Sequence, residues 1–312
     1  MTSAPIPVVV DSDGGEVSCD ALFFALQHPG LDVVAVTAAP GVVTARQSAT
    51  KFGKVLAAAG RPDVPLAVGP EGRLGPAPAV RIPPAVADGD GLGGLHEDAP
   101  AVAPVAEPAP ELLARLAGAR AGELVVAALG PFGNLARALR GEPELAGRLR
   151  GLVAMGGAFS VPGNATPAAE YNVAFDPIAA SELVHAGWLS PPGLISLDVT
   201  LRATLGPAEL AVLAARRTPA ARFLAAPLER YAGFATLPDG TLPTHDVLVP
   251  IAIAEPALVE WSTLGLDVDV TGGAEWGRTV ASEGVALSAR WRVAVAADVA
   301  GVRMELRRFY GP

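Results

Sequence analysis

The chain has 312 residues, of which 51% are hydrophobic and 18% charged, with a formal net charge of −9. That supplies ample material for a core, contains no uninterrupted apolar stretch of membrane-span length, and with no basic run argues against nucleic acid or an anionic membrane as partner. A lone cysteine, Cys19, excludes an internal disulfide, and the first residues lack a basic-then-apolar secretory pattern, so a reducing cytoplasm is the expected setting.

In chain order, strands are predicted at residues 8–11, 31–37, 64–68, 124–128, 152–155 and 194–197. Helices are predicted at 19–27, 45–59, 110–119, 134–139, 178–186, 220–232 and 247–254. Val/Ala/Leu runs buried on both faces and alternating with helices imply an α/β fold: one open, mainly parallel sheet with helices on both faces. A smaller tail follows, with strands at 265–270, 278–281 and 291–296 and a closing helix at 299–309. No linker divides the chain, so 1–312 reads as a single domain. The Pro/Gly-rich stretch 69–104 is long for a connection and is expected near a site mouth.

The first strand runs into Asp11-Ser12-Asp13-Gly14-Gly15, with Asp20 shortly after. Ligands of open α/β sheets bind outside the carboxyl ends of the strands. Carboxylates converging there without a basic neighbour call for a proton or a divalent cation. Three further segments are sent to the same edge. Leu129-Gly130-Pro131-Phe132-Gly133-Asn134 offers backbone carbonyls, and Asn134 suits a helix cap. Met155-Gly156-Gly157 leads through Asn164 to Glu170-Tyr171-Asn172, whose i,i+2 spacing would aim two polar groups one way if extended. Asp176-Pro177 reads as a helix cap and first residue. Pro243-Thr244-His245-Asp246 precedes an apolar helix, where Asp246 suits a cation and His245 an acid or leaving-group contact.

Together these segments resemble the inosine–uridine-type nucleoside hydrolases, whose signature is a strand followed by Asp-x-Asp-x-Gly-x-Asp-Asp-Ala. Ala128–Leu135, Met155-Gly156-Gly157, Asn164 to Asn172 with Asp176-Pro177, Leu197-Asp198-Val199-Thr200 and His245-Asp246 follow in the family order. The resemblance implies a calcium-dependent N-ribosyl hydrolase assembled as a homodimer or homotetramer and acting on a small-molecule nucleoside. Asp13 would bind calcium and serve as general base. Asp20, Asp246 and the Leu129 carbonyl would complete the metal set, with Asp11 supporting it. Asn164, Glu170 and Asn172 would hold the ribose beside Met155, with His245 on the leaving-group side.

Two departures stand out. The acidic loop reads as carrying two extra residues within Glu16-Val17-Ser18, which puts Cys19 at a sugar-contacting aspartate. Val42 stands where the family has a sugar-contacting Asn. Both changes weaken hydroxyl recognition and favour a rival reading, a nucleoside-binding relative without standard turnover. Retention of Asp13, Asp20, Glu170, Asn172 and Asp246 favours hydrolysis. A haloacid-dehalogenase-type phosphatase also begins with Asp-x-Asp-Gly, but it needs a later catalytic lysine, and the only lysines here are Lys51 and Lys54 in one early helix.

Overall fold

The computed structural model describes residues 4–80, 98–215, 219–282 and 289–310. The glycine-rich part of the long connection, residues 87–93, lies outside them. The first half of the chain alternates strand and helix: β1 (Ile6–Ser12), α1 (Glu16–Gln27), β2 (Leu31–Ala38), α2 (Ala45–Ala58), β3 (Leu66–Val68), α3 (Ala109–Ala119), β4 (Val125–Ala128), α4 (Gly133–Gly141), α5 (Leu145–Arg148) and β5 (Gly151–Met155). Then come α6 (Tyr171–Phe175), α7 (Pro177–Val184), β6 (Gly193–Ile195), α8 (Leu197–Thr200), β7 (Thr204–Leu205), α9 (Pro207–Ala214), α10 (Pro219–Ala235), β8 (Leu242–Pro243) and α11 (Leu248–Ala254). The chain closes with β9 (Val259–Val268), β10 (Thr279–Ser282), β11 (Arg290–Ala297) and α12 (Val299–Tyr310).

Among the described residues nine strands form one sheet in the order β10-β9-β11-β6-β5-β4-β1-β2-β3. The six strands from β1 to β6 are parallel, and β11 continues them parallel to β6. The tail therefore does not form a separate layer. Its strands extend the main sheet, with β9 antiparallel between β11 and β10. Side chains alternate across β1: Val8 and Val10 pack into a core with α1, α2 and α11, whereas Val9 packs into the opposite core with α3, α4 and α7. No described helix is long and apolar enough to cross a membrane.

Within this order, β1 and β4 are neighbours and the crossovers reverse direction between them. That is the topological switch point, where α/β sheets open a crevice at the strand carboxyl ends. The loop after β1 is held tightly there. Gly14 has φ +72°, and a Cβ on it would lie 2.8 Å from the Ser48 Cα of α2. Only glycine fits both the left-handed backbone and that approach. Gly14→Ala is expected to lower unfolding free energy by roughly 1–3 kcal/mol. Urea denaturation checks this, and a midpoint equal to the wild type would remove the constraint.

Candidate active site at the carboxyl edge of the sheet

Asp11 sits at the end of β1 with no solvent exposure. Its Oδ1 accepts from Thr37 Oγ1 at 2.6 Å and Asn134 Nδ2 at 2.8 Å, and its Oδ2 has no partner among the described residues. Burial pushes this carboxyl up to about 6 against the pull of those two bonds, with Asp13 adding repulsion. Asp11 thus ties β1 to β2 and α4. Asn134 is not the cap of α4, because Phe132 holds that position. Its amide turns inward to Asp11 instead.

Asp13 is also buried, and burial raises its pKa. Its Oδ2 accepts from Val42 N at 3.0 Å and its Oδ1 from Gly15 N at 3.4 Å. The β2–α2 loop comes so close that a Cβ on Gly41 would lie 2.1 Å from Asp13 Oδ2. Val42 therefore contributes its backbone to the site.

Helix α1 begins at Glu16, immediately after its cap residue Gly15. The expected insertion is thus the helix's first turn, and α1 starts three residues before the predicted position 19. The difference matters because residues two apart on a helix face different ways. Ser18 faces the site, donating from Oγ to Asp246 Oδ2 at 2.6 Å. Cys19 points into the hydrophobic core, fully buried, its thiol pushed up to about 12 by desolvation. Asp20 lies with Val17, three residues earlier, on the wall of an adjoining cleft. Laid along the helix without a gap, the signature's paired aspartates fall on Val17 and Ser18.

Glu170 and Asn172 are not in an extended segment. Glu170 caps α6: its Oε1 accepts from Asn172 N at 2.9 Å, and its Oε2 from Gly157 N at 3.0 Å and Val173 N at 3.3 Å. Burial pushes it up to about 7 against those bonds, and the Asp13 charge adds to the rise. Asn172 Nδ2 donates to Leu129 O at 3.2 Å and Met155 O at 3.1 Å, clamping the ends of β4 and β5 together. Asn164 is exposed and props the start of α6, accepting from Tyr171 N at 2.8 Å. Asp176 caps α7 through Ala179 N at 3.1 Å and also receives Leu74 N at 2.7 Å.

His245 and Asp246 precede α11. Asp246 is raised well above the carboxylate range by burial and by the charges of Asp13 and Glu170, against the Ser18 bond. His245 Nδ1 lies 2.9 Å from Thr200 Oγ1, and burial pushes the ring down to about 4, so it is neutral at pH 7. Both line the mainly apolar cleft that Val17 and Asp20 share with Leu205, Leu228 and other apolar side chains.

These residues do not assemble the expected calcium set. Calcium takes six to eight oxygens, usually several of them carboxylate. Here both Asp13 oxygens accept backbone N–H groups, Asp246 accepts Ser18 and the Leu129 carbonyl accepts Asn172. Asp13, Asp20 and Asp246 do not bring one oxygen each within 4.8 Å of one another. Among the described residues the group with that spacing is His28, Glu255 and Glu305, away from this site. His28 Nδ1 accepts from Gly30 N at 3.0 Å, which leaves the proton on Nε2, facing those glutamates at 4.0 and 3.8 Å.

Residues 8–304 match the family model described as inosine-uridine preferring nucleoside hydrolase. The chain belongs to that family. It is 36% identical over 180 residues to "Probable uridine nucleosidase 2" of Arabidopsis thaliana, covering 58% of this chain and 56% of the relative. It is 36% identical over 208 residues to "Pyrimidine-specific ribonucleoside hydrolase RihA" of Klebsiella pneumoniae, covering 66% and 64%. The chain thus spans less than two thirds of the length of these relatives. Among solved structures it is similar to "Plant nucleoside hydrolase - PpNRh1 enzyme", with TM-score 0.91, 28% identity and coverage of 99% and 100%. It is also similar to "Purine-Preferring Ribonucleoside Hydrolase from Gardnerella vaginalis", with TM-score 0.86, 26% identity and coverage of 96% for each chain.

Glu170 makes the electrostatics measurable. Its folded pKa, about 7, lies above the ordinary 4.5, so folding favours its protonated form. Its contribution is complete below pH 4.5 and is lost as pH rises through about 7. The loss is of order 3 kcal/mol, at about 1.4 kcal/mol for each tenfold change in proton affinity. Glu170→Gln is expected to flatten the stability profile across that window in denaturation series at stepped pH. An unchanged slope would show that Glu170 is not a strained acid.

Proposed function

We propose that the chain hydrolyses the N-glycosidic bond of a nucleoside or nucleoside-like compound to free base and pentose. The observation that carries this reading is the cluster of buried carboxylates at the switch point. Burial raises the pKa values of Asp13, Glu170 and Asp246, the Asp13 charge adds to the rise at both others, and the Glu170 charge adds to it at Asp246. A site with that negative potential stabilises the oxocarbenium-like transition state of glycoside cleavage. Family membership and the relatives' printed names support the same reaction class.

In this reading the C1′–N bond breaks with its electron pair leaving on the base, and water oxygen bonds to C1′. Asp13, whose raised pKa suits a general base, takes one proton of that water. Glu170 and Asn172 orient sugar hydroxyls beside Met155. Asn164 acts from outside by holding the start of α6. Neutral His245 offers its free ring nitrogen on the leaving-group side. Calcium is the cation the resemblance implies, but the donors present do not fit the three-aspartate set, and the reaction rests on the chain's own groups. Homodimer or homotetramer assembly belongs to the same reading, as does a cytoplasmic setting suited to the buried thiol of Cys19.

A second reading, nucleoside binding without turnover, is favoured by one observation. Val17 and Ser18 occupy the positions of the signature's paired aspartates, and Val42 stands where the resemblance implies a sugar-contacting Asn. A panel of purine and pyrimidine nucleosides with detection of free base separates the two. Asp13→Asn is expected to stay folded, as circular dichroism checks, while kcat/KM falls by about 10²–10⁴. Saturable nucleoside binding by the wild type with no base released would replace hydrolysis by the second reading.

A further inference from the structure

The unexplained group at this site is Lys51. It lies on α2 with 0% exposure, and its Nζ has no hydrogen-bond partner among the described residues. A buried ammonium with no partner is costly unless nearby negative charge holds it. Its charge acts on Asp13, Glu16 and the Cys19 thiol, in each case favouring the ionised form. Arg230 of α10 also acts on Glu16. Lys51 is carried by α2, which packs against α1, the helix that bears Glu16, Ser18 and Cys19.

On the same side, Ser18 donates a hydroxyl to Asp246 at 2.6 Å where the signature has a carboxylate. Val17 replaces the other aspartate of the pair. The first turn of α1 thus lacks both carboxylates of the signature pair and keeps Glu16 at the variable position before them, and α2 supplies a positive charge. Each change lowers the demand for an external divalent cation. A hydroxyl that donates to Asp246 also takes up a carboxylate oxygen that a cation would need.

We propose that this acidic pocket carries its own cation, the Lys51 ammonium, and with Ser18 in place of a carboxylate does not take up calcium. The inference rests on the hydrolase reading only for the identity of the pocket. The charge substitution stands on the residues themselves.

Calcium chloride titrated into the EDTA-treated full chain tests this by isothermal calorimetry, with melting temperature as a second readout. The wild type is expected to give no saturable heat, and its melting temperature in millimolar calcium and in EDTA should agree within about 1 °C. Ser18→Asp combined with Lys51→Met should acquire a saturable site and a calcium-dependent rise of several degrees. Ser18→Asp alone, which keeps the ammonium, should bind more weakly than the pair. One calcium bound per wild-type chain would overturn the proposal. So would a folded double variant that stays indifferent to calcium. Nucleoside turnover in the same EDTA-treated samples is scored separately. Its absence counts against the hydrolase reading, whereas only the titration decides between Lys51 and calcium.

Discussion

Confining several carboxylates to one dry edge of a sheet is the constraint around which this molecule is arranged. Each such group would be more stable in water, and like charges sharpen the penalty. The chain answers with a dense set of donors. Thr37 and Asn134 hold Asp11, and the Val42 and Gly15 amides hold Asp13. Three backbone amides hold Glu170, and Ser18 holds Asp246. Those donors come from β2, α1, α4, α6 and the loops after β1, β2 and β5. The acids therefore act as the knots that draw separate elements to one point.

This arrangement links the fold to its chemistry. A pocket that stores electrostatic strain in its resting state relaxes when positive charge develops within it. In the proposed hydrolysis such charge develops at the anomeric carbon, and the same repulsion that burdens folding would then stabilise the transition state. The apolar cleft beside His245 and Asp246 provides a surface of the opposite character, suited to the flat face of a base.

Much of this was legible in the sequence because the signals were local. The Val8–Val10 run ending in acid, the turn after β4 and the Asp176-Pro177 cap each depend on a few adjacent residues. The difficulties came where facing is decided by helix geometry or by distant elements. Counting residues to an Asp pair required a gap before Cys19. The helix starts without one, which brings Ser18 to Asp246 and turns Cys19 into the core. Glu170 and Asn172 looked like an extended pair because Glu is an uncommon helix cap. Lys51 carried no signal at all: on α2 it reads as an ordinary polar position, and only the packing of α2 against α1 buries it. The tail's placement next to β6 likewise rests on pairing across about a hundred residues.

The uninterrupted start of α1 also limits how such a pocket can diverge. Each residue advances a helix by about 100° and 1.5 Å. Two residues gained or lost in the first turn would swing everything after them by roughly 200°. Leu22, Phe23 and Phe24, all buried against the sheet, would then face elsewhere. The core thus locks the rotational phase of the helix that carries Ser18. Divergence at this edge must proceed by exchanging side chains in place, so a change of charge at one position is most readily balanced from a neighbouring element.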